Sequence, residues 1–220
     1  MFRRTLIQAA AAAALVSSIP SAFAFTQGTD YVVLDKPLAN AEGTLIKIWS
    51  YDCPFCYKYD VGVDPRVLPR VEKEVGLKFV PMHLETKGKY GRVASEYLAV
   101  CQLRDEAAGR TPEDKESLYK KAKGAWYVAY HKKSERWSAG VEAFLKTAEA
   151  ATGITAADFE AARKDPKVVA LADSWKPVYD VAKIQGVPAY VVNGKYLIMT
   201  KSIRNFNGMV DLIKELAAKK

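Results

Sequence analysis

Two cysteines separated by two residues follow a strand-like run and enclose Pro54. The run Thr44–Trp49 is rich in β-branched and aromatic residues and predicts a strand. Proline favours the first helical position, because its fixed φ suits a helix and its missing N–H would have no partner there. Cys53 is then the N-cap, where unpaired N–H groups and the positive end of the helix dipole favour a thiolate. We expect Cys53 to be the exposed attacking sulfur and Cys56 to resolve the mixed disulfide.

A Cys-x-x-Cys pair alone is compatible with half of a zinc site, a structural disulfide or a redox pair. Zinc needs further ligands at suitable spacing, and the chain adds only Cys101, His83 and His131, which are not so spaced. A structural bridge across so short a loop would contribute little stability. The redox pair is favoured and the other two readings stay open. The odd third cysteine, Cys101, is expected to be a free, buried thiol.

The first 24 residues have the layout of a secretory signal peptide. Arg3 and Arg4 give a short positive start, residues 6–16 are apolar, and residues 22–24 form a small-residue pattern. The apolar run is shorter than the roughly 20 residues that span a bilayer as a helix. We therefore predict cleavage after Ala24 and a mature protein in the periplasm.

Further strands are predicted on both sides of a long helical stretch. Residues 31–34 and 77–80 are rich in β-branched and aromatic residues, and Pro81 is expected to end the second strand. Near the C-terminus two more apolar runs flank Asn193 and Gly194, a dipeptide that favours a two-residue hairpin turn. These runs predict a single sheet.

The stretch from residue 90 to about residue 178 predicts a block of helices. Capped helix starts are expected at Thr111, Thr155 and Asp165, and a last amphipathic helix over residues 207–216. A sheet layer with helices around it and an inserted helical domain fits this order, which is an α/β class. Four aromatic residues of the block are interpreted as packing between helices, in preference to a ligand site: Trp126, Tyr127, Tyr130 and Trp137.

The chain is basic, with a formal net charge of +8. We interpret this charge mainly as a solvated surface. The alternative is a positive field that attracts acidic partners or holds an anion such as a thiolate. Nucleic acid is not an expected partner, because an exported chain without a base-reading motif offers no site for it.

Val187 and Pro188 form the second informative pair. Taken alone, the base rate favours a trans bond between them by roughly ten to one. Taken together, however, residues 49–57 and 186–196 closely resemble the two active-site segments of the DsbA family of thiol–disulfide oxidoreductases. Their order and separation match as well, and the likeness covers essentially the whole mature chain.

The resemblance implies a role for each residue of the two segments. In that family the first cysteine is the nucleophile, the second resolves, and a valine–cis-proline pair lies against the disulfide and binds substrate. By position these become Cys53, Cys56, Val187 and Pro188, with Pro54 and Phe55 supporting the site. No cofactor is implied besides the redox-active disulfide Cys53–Cys56, and no metal.

The resemblance also implies the architecture and the activity. It predicts a thioredoxin fold in two parts, residues 25–88 and 179–220, with an all-helical domain inserted over residues 89–178. The expected function is a monomeric dithiol oxidase that introduces disulfides into reduced exported proteins and is reoxidised by a quinone-coupled membrane protein like DsbB. The alternatives are a disulfide reductase or isomerase, and a chaperone or peptide-binding module with an incidental disulfide.

Two residues depart from the usual pattern of the family. Phe55 stands where typical members carry histidine, which together with the basic charge resembles the DsbL branch. That branch is associated with its own membrane partner, DsbI, and with arylsulfate sulfotransferase as a substrate. Lys47 stands where members usually have a buried acidic residue under the resolving cysteine. We expect its ammonium group to reach solvent along the side chain. The alternative is a buried Lys47 that modulates the electrostatics of the site, which would need a partner or a lowered pKa, and how Cys56 loses its proton stays open.

Overall fold

One mixed sheet forms the centre of the chain. The computed structural model describes residues 25–219, and the predicted signal peptide and its cleavage site lie outside them. Strands β1 to β5 span Tyr31–Val33, Thr44–Trp49, Lys78–His83, Ala189–Val192 and Tyr196–Ile198. Their order is β1-β5-β4-β2-β3, with β2 and β3 parallel and the other neighbours antiparallel. The segment that follows β2 therefore starts at the end of an interior strand, between β4 and β3.

Helices cover the sheet and form the long insertion between β3 and β4. In the described residues, α1 to α9 span Pro54–Gly62, Asp64–Arg70, Gly91–Ala107, Leu118–His131, Val141–Thr152, Ala156–Ala162, Pro166–Ser174, Val178–Gln185 and Phe206–Ala217. A π-helical turn, Val71–Val75, extends α2, and a 3-10 turn, Thr200–Ser202, follows β5. Within residues 25–219 we find no helix whose length and apolar character would suit a membrane crossing.

The two faces of the sheet are buried by different helices. Successive side chains of a strand point to opposite faces. Leu45 and Tyr190 pack in one cluster with the apolar side of α9. Ile46 and Val191 face the other way and pack with α8. The central strands are therefore buried on both sides.

The inserted helices enclose an aromatic core that reaches the cysteines. Trp126 stacks on Phe144 with ring centroids 4.5 Å apart. The same cluster includes Trp49 at the end of β2, together with Cys53 and Cys56. The prediction that the aromatic residues of the insertion serve packing is confirmed, because Trp126, Tyr127 and Trp137 are buried in this cluster and Tyr130 packs against it.

The predicted α/β order is confirmed, whereas three local predictions were wrong. The numerical domain boundaries (25–88, 89–178 and 179–220) stay predictions. Pro81 does not end β3, which continues to His83. The physical reason is the position of β3 at the edge of the sheet. An edge strand tolerates proline, because one row of its backbone groups has no strand partner.

The first long helix after α3 begins later than predicted. Thr111 begins a turn instead, in which its N–H donates to Asp114 Oδ2 at 2.5 Å. Ser117 is the N-cap of α4, accepting from Lys120 N at 3.0 Å. Asp105 adds two bonds, since its carboxylate accepts from the first two N–H groups of α4. The carboxylate from α3 therefore decides where α4 starts.

The hairpin between β4 and β5 contains one residue more than predicted. Asn193 and Gly194 have φ values of 53° and 65°, which a primed turn requires. Lys195 N donates to Val192 O at 3.0 Å, which closes the turn. Pairing of the strands begins only at Val192 with Tyr196. Lys195 is therefore an extra residue on the β5 side.

Candidate active site

The start of α1 places the two cysteines as the sequence predicts. Cys53 is the N-cap with extended backbone, and Pro54 occupies the first helical turn. Cys56 N donates to Cys53 Sγ at 3.1 Å. Cys53 and Cys56 are joined in a disulfide. The sulfur of Cys53 thus already accepts one of the N–H groups that would stabilise a thiolate after reduction.

The Val187–Pro188 segment lies against this disulfide. The peptide bond between these two residues is cis, as the resemblance implies. Val187 O is 3.3 Å from Cys53 Sγ, although the residues are 134 positions apart. Strand β4 begins directly after Pro188 and pairs with β2, which leads into Cys53. The pairing of β2 with β4 therefore brings the two segments together.

The expectation of an exposed Cys53 sulfur was wrong for this disulfide form. Cys53 is 2% exposed and Cys56 is fully buried. The physical reason is that both belong to the aromatic core of the insertion, with Val187 packed against that core. The exposed part of the motif is Phe55, at 61%, with Lys58 Nζ 5.4 Å from its ring centroid.

The expectation for Lys47 was also wrong, because its ammonium group does not reach solvent. Lys47 is 1% exposed. Its Nζ pairs with the carboxylate of Asp64 and lies 3.6 Å from that of Asp60. Asp64 in turn accepts from Tyr190 Oη at 2.5 Å. The partners that the lysine needs come from α1 and α2.

Asp60 and Asp64 were missed by sequence reasoning, although a signal for them exists. Cys56, Asp60 and Asp64 are spaced by four, which places neighbouring members on one side of a helical segment. Lys47, on the central strand β2, is therefore close to both carboxylates. A lysine inside a predicted buried strand, together with acidic residues at helical spacing after the Cys-x-x-Cys motif, indicates a buried ion pair.

Asp60 joins Lys47 to a second buried lysine. Its Oδ1 is 2.6 Å from the Nζ of Lys123, which comes from α4 of the insertion. Burial raises the pKa of Asp60, but Lys123 and Lys47 lower it by more, so that the net shift of the pKa is downward. Burial lowers the pKa of Lys123, but Asp60 and Glu113 raise it, and the net shift is upward. Both groups are therefore charged at neutral pH and tie the insertion to α1.

The two histidines lie close to the motif in different environments. His83 is fully buried, and burial lowers its pKa to about 3. Its Nδ1 is 2.9 Å from Ser95 Oγ. His131 is half-buried, stacks on Tyr57 and contacts Tyr51 O. The sequence offers His131 only as a possible metal ligand, and its contacts with Tyr51 and Tyr57, on either side of the two cysteines, could not be read from its position in the chain.

Cys101 confirms the prediction of a free, buried thiol. It lies in α3, one turn before Asp105. Burial raises its pKa well above the usual value, and the charge of Asp105 raises it further. A thiol in this state is protonated at neutral pH and is a poor nucleophile.

Known proteins with this arrangement were found by sequence and by structure. The chain is 55% identical over its full length to the thiol:disulfide interchange protein DsbL of Escherichia coli O6:H1 and covers 96% of it. It is 53% identical to DsbL of Lelliottia amnigena, again with 96% covered. No family model matches the chain.

The chain belongs to the DsbL branch of the DsbA family.

Solved structures agree with this assignment. The crystal structure of DsbL from Salmonella enterica serovar Typhimurium matches 90% of the chain and all of its own, with a TM-score of 0.85 and 58% identity. DsbA from Proteus mirabilis matches 89% of the chain and 98% of its own, at a TM-score of 0.68 and 24% identity, which concerns the fold alone. The predicted thioredoxin fold with a helical insertion is confirmed. The DsbL-type chain is a thiol:disulfide oxidoreductase.

Proposed function

We propose that this chain is an exported dithiol oxidase of the periplasm, with Cys53 as nucleophile and Cys56 as resolving residue. The observation that carries the proposal is the hydrogen bond from Cys56 N to Cys53 Sγ at the start of α1. A sulfur held there is a good leaving group, since its thiolate is stabilised by the helix N-terminus. Transfer of the disulfide to a substrate is then favoured over its retention.

The reaction takes two exchange steps. A substrate thiolate attacks Cys53 Sγ, a mixed disulfide forms, and the sulfur of Cys56 leaves and takes up a proton. The second substrate thiolate then attacks the substrate sulfur of the mixed disulfide and releases Cys53 as a thiolate. The substrate loses two electrons, and the Cys53–Cys56 pair gains them.

Val187 and Pro188 are proposed to bind the substrate chain beside the disulfide. Val187 O already lies 3.3 Å from Cys53 Sγ, so a chain laid along this segment passes the reacting sulfur. Pro54 and the exposed Phe55 form the rim of the same surface.

The partners are proposed on the membership in the DsbL branch. Reduced exported proteins, with arylsulfate sulfotransferase among them, would be the substrates. A quinone-coupled membrane protein like DsbB or DsbI would reoxidise the monomeric chain and remove its electrons. No cofactor besides the Cys53–Cys56 disulfide is part of this proposal, and the predicted signal peptide (residues 1–24) would deliver the chain.

Trapping of mixed disulfides tests the two roles. Cys56→Ala should accumulate complexes with reduced exported proteins through Cys53, because no second thiol releases them. Cys53→Ala should give almost none, and Cys101→Ala serves as the matched control. Equal yields from Cys53→Ala and Cys56→Ala would contradict the assignment.

The direction of the reaction needs a separate measurement. At equilibrium with glutathione, the chain should stay reduced until the oxidised form of glutathione is in large excess. A midpoint like that of a reductase would contradict the oxidase proposal. Reoxidation of the reduced chain should be faster with membranes that contain a DsbI-like protein than with membranes that lack it, and equal rates would exclude that reoxidant.

A further inference from the structure

His131 is held against both ends of the disulfide segment. It is the last residue of α4. Its Nε2 is 3.0 Å from the carbonyl oxygen of Tyr51, two residues before Cys53. Its ring stacks on that of Tyr57, directly after Cys56, with centroids 5.1 Å apart and planes 3° from parallel. A carbonyl oxygen only accepts, so Nε2 carries the proton and Nδ1 is the nitrogen that can gain a second one.

Groups of both signs surround this ring. Asp52 lies on the same loop as Tyr51 and favours the charged imidazole, whereas Arg136 beyond α4 opposes it. Asp52 itself lies 3.5 Å from Lys87 Nζ and accepts from Ser50 Oγ. Further titratable neighbours pack on the ring of His131 or on that of Tyr57: Tyr127, Tyr130 and Lys132.

Burial keeps the His131 ring uncharged at neutral pH while the disulfide is closed. Burial lowers its pKa, the hydrogen bond to Tyr51 O and the charge of Asp52 raise it, Arg136 lowers it, and the net shift is downward. Reduction adds a negative charge at Cys53, two residues from the carbonyl that holds the ring. A new negative charge near an imidazole favours its protonated form.

We propose that His131 takes up a proton when the disulfide is reduced and that its charge then stabilises the thiolate of Cys53. This inference rests on the proposed function, which supplies that thiolate. A dithiol substrate gives up two electrons and two protons as it becomes a disulfide. The sulfur of Cys56 keeps one proton; in a fraction of the molecules Nδ1 of His131 takes the second, and in the rest it goes to solvent. The electrons remain on the two cysteine sulfurs.

The coupling is reciprocal. If the thiolate raises the pKa of His131, the protonated imidazole lowers the pKa of Cys53 by the same amount. His131 therefore has an indirect role. It comes from the insertion, does not react with substrate, and changes the electrostatic potential at Cys53. Phe55, inside the motif, has no titratable group that could take this role.

Proton NMR of the imidazole rings tests the proposal directly. The chain has only two histidines, and His83 is an internal reference, since it should not titrate between pH 5 and 8. The pKa of His131 should be higher in the reduced than in the oxidised protein by about 0.5 units, a roughly threefold change in proton affinity. Reduced Cys53→Ala, which has no thiolate there, should return the oxidised value. Equal values in both redox forms, or a raised value in Cys53→Ala, would overturn the proposal.

Thiolate absorbance near 240 nm gives the reciprocal measurement. His131→Gln should raise the pKa of Cys53 by a similar amount, while His131→Lys, which keeps a positive charge, should not. Equal titration of His131→Gln and wild type would overturn the coupling. A Cys53 pKa near that of a free thiol in the wild type would instead contradict the proposed function, so the two failures can be told apart. The wild-type NMR measurement remains decisive if a variant does not fold.

Discussion

The buried ammonium group of Lys47 permits a sharp test of what stabilises the fold under the active site. Lys47 is 1% exposed and pairs with Asp64 and Asp60. Lys47→Met keeps a long unbranched side chain in this place and removes only the charge. Among the described residues, Asp60 retains an ion pair with Lys123 at 2.6 Å, whereas Asp64 retains one direct side-chain partner, the hydroxyl of Tyr190, and lies in the more distant field of Lys123.

The expected loss follows from this difference between the two acids. Removing one partner of a buried ion pair costs ~3–5 kcal/mol, since the other charge stays uncompensated. Because Asp60 keeps an ion pair, the loss falls mainly on Asp64, and we expect the lower end, ~3 kcal/mol. For a domain of this size each kcal/mol shifts Tm by about 2–4 °C, which gives a decrease of about 6–12 °C.

Urea unfolding of the oxidised protein at pH 7 measures the loss. The double variant with Lys47→Met and Asp64→Asn should be more stable than Lys47→Met alone, because no unpaired charge is then buried. A loss below about 1 kcal/mol would refute the reasoning, since that is the range of a solvent-exposed pair.

Three further predictions concern redox state, pH and helix capping. Reduced protein should melt at a higher temperature than oxidised protein at pH 7, because the start of α1 lowers the pKa of the Cys53 thiol. This advantage is complete only above the unfolded thiol pKa of about 8.5 and shrinks as pH falls to 4; a higher Tm for oxidised protein at pH 7 would contradict it. The lowered pKa of Asp60 contributes stability that is present above its unfolded pKa of about 3.9 and is lost as pH falls through the folded value. Asp60→Asn should therefore flatten the decline of the urea midpoint below pH 4, and an unchanged decline would count against the ion pair with Lys123. Ser117→Ala should cost ~1 kcal/mol in urea unfolding by removing the cap of α4, whereas Thr111→Ala should cost less than about 0.5 kcal/mol; equal losses would mean that Ser117 is not the decisive cap.

The parts of the site that could be predicted from the sequence are those encoded by adjacent residues. Proline after Cys53 fixes the start of α1 locally, so the N-cap position and the place of Cys56 follow from the motif alone. The approach of Val187 to Cys53 is not local, and the resemblance of two separated segments supplied it. Neither segment indicates how far the aromatic core covers the Cys53 sulfur, and the prediction that this sulfur is exposed was therefore wrong.

The charged partner that the insertion supplies could not be predicted for the same reason. The spacing after Cys56 offers Asp64 as a partner of Lys47, but nothing near Asp60 points to Lys123 from α4, 63 positions later in the numbering. The capping error has a similar origin. Thr111 has the composition of a helix start, but the carboxylate of Asp105 from α3 accepts the first N–H groups of α4 and moves that start to residue 118.

The edges of the sheet have a consequence for the fate of the chain before it is fully folded. An open strand edge is a template on which another copy can add a strand and begin an aggregate. One edge of this sheet, β1, is only three residues long, Tyr31–Val33. The other, β3, carries Pro81 in its middle, where an added strand would meet a residue without an N–H. Pro81, which the sequence predicts at the end of a strand, thus opposes intermolecular strand pairing during refolding at high concentration.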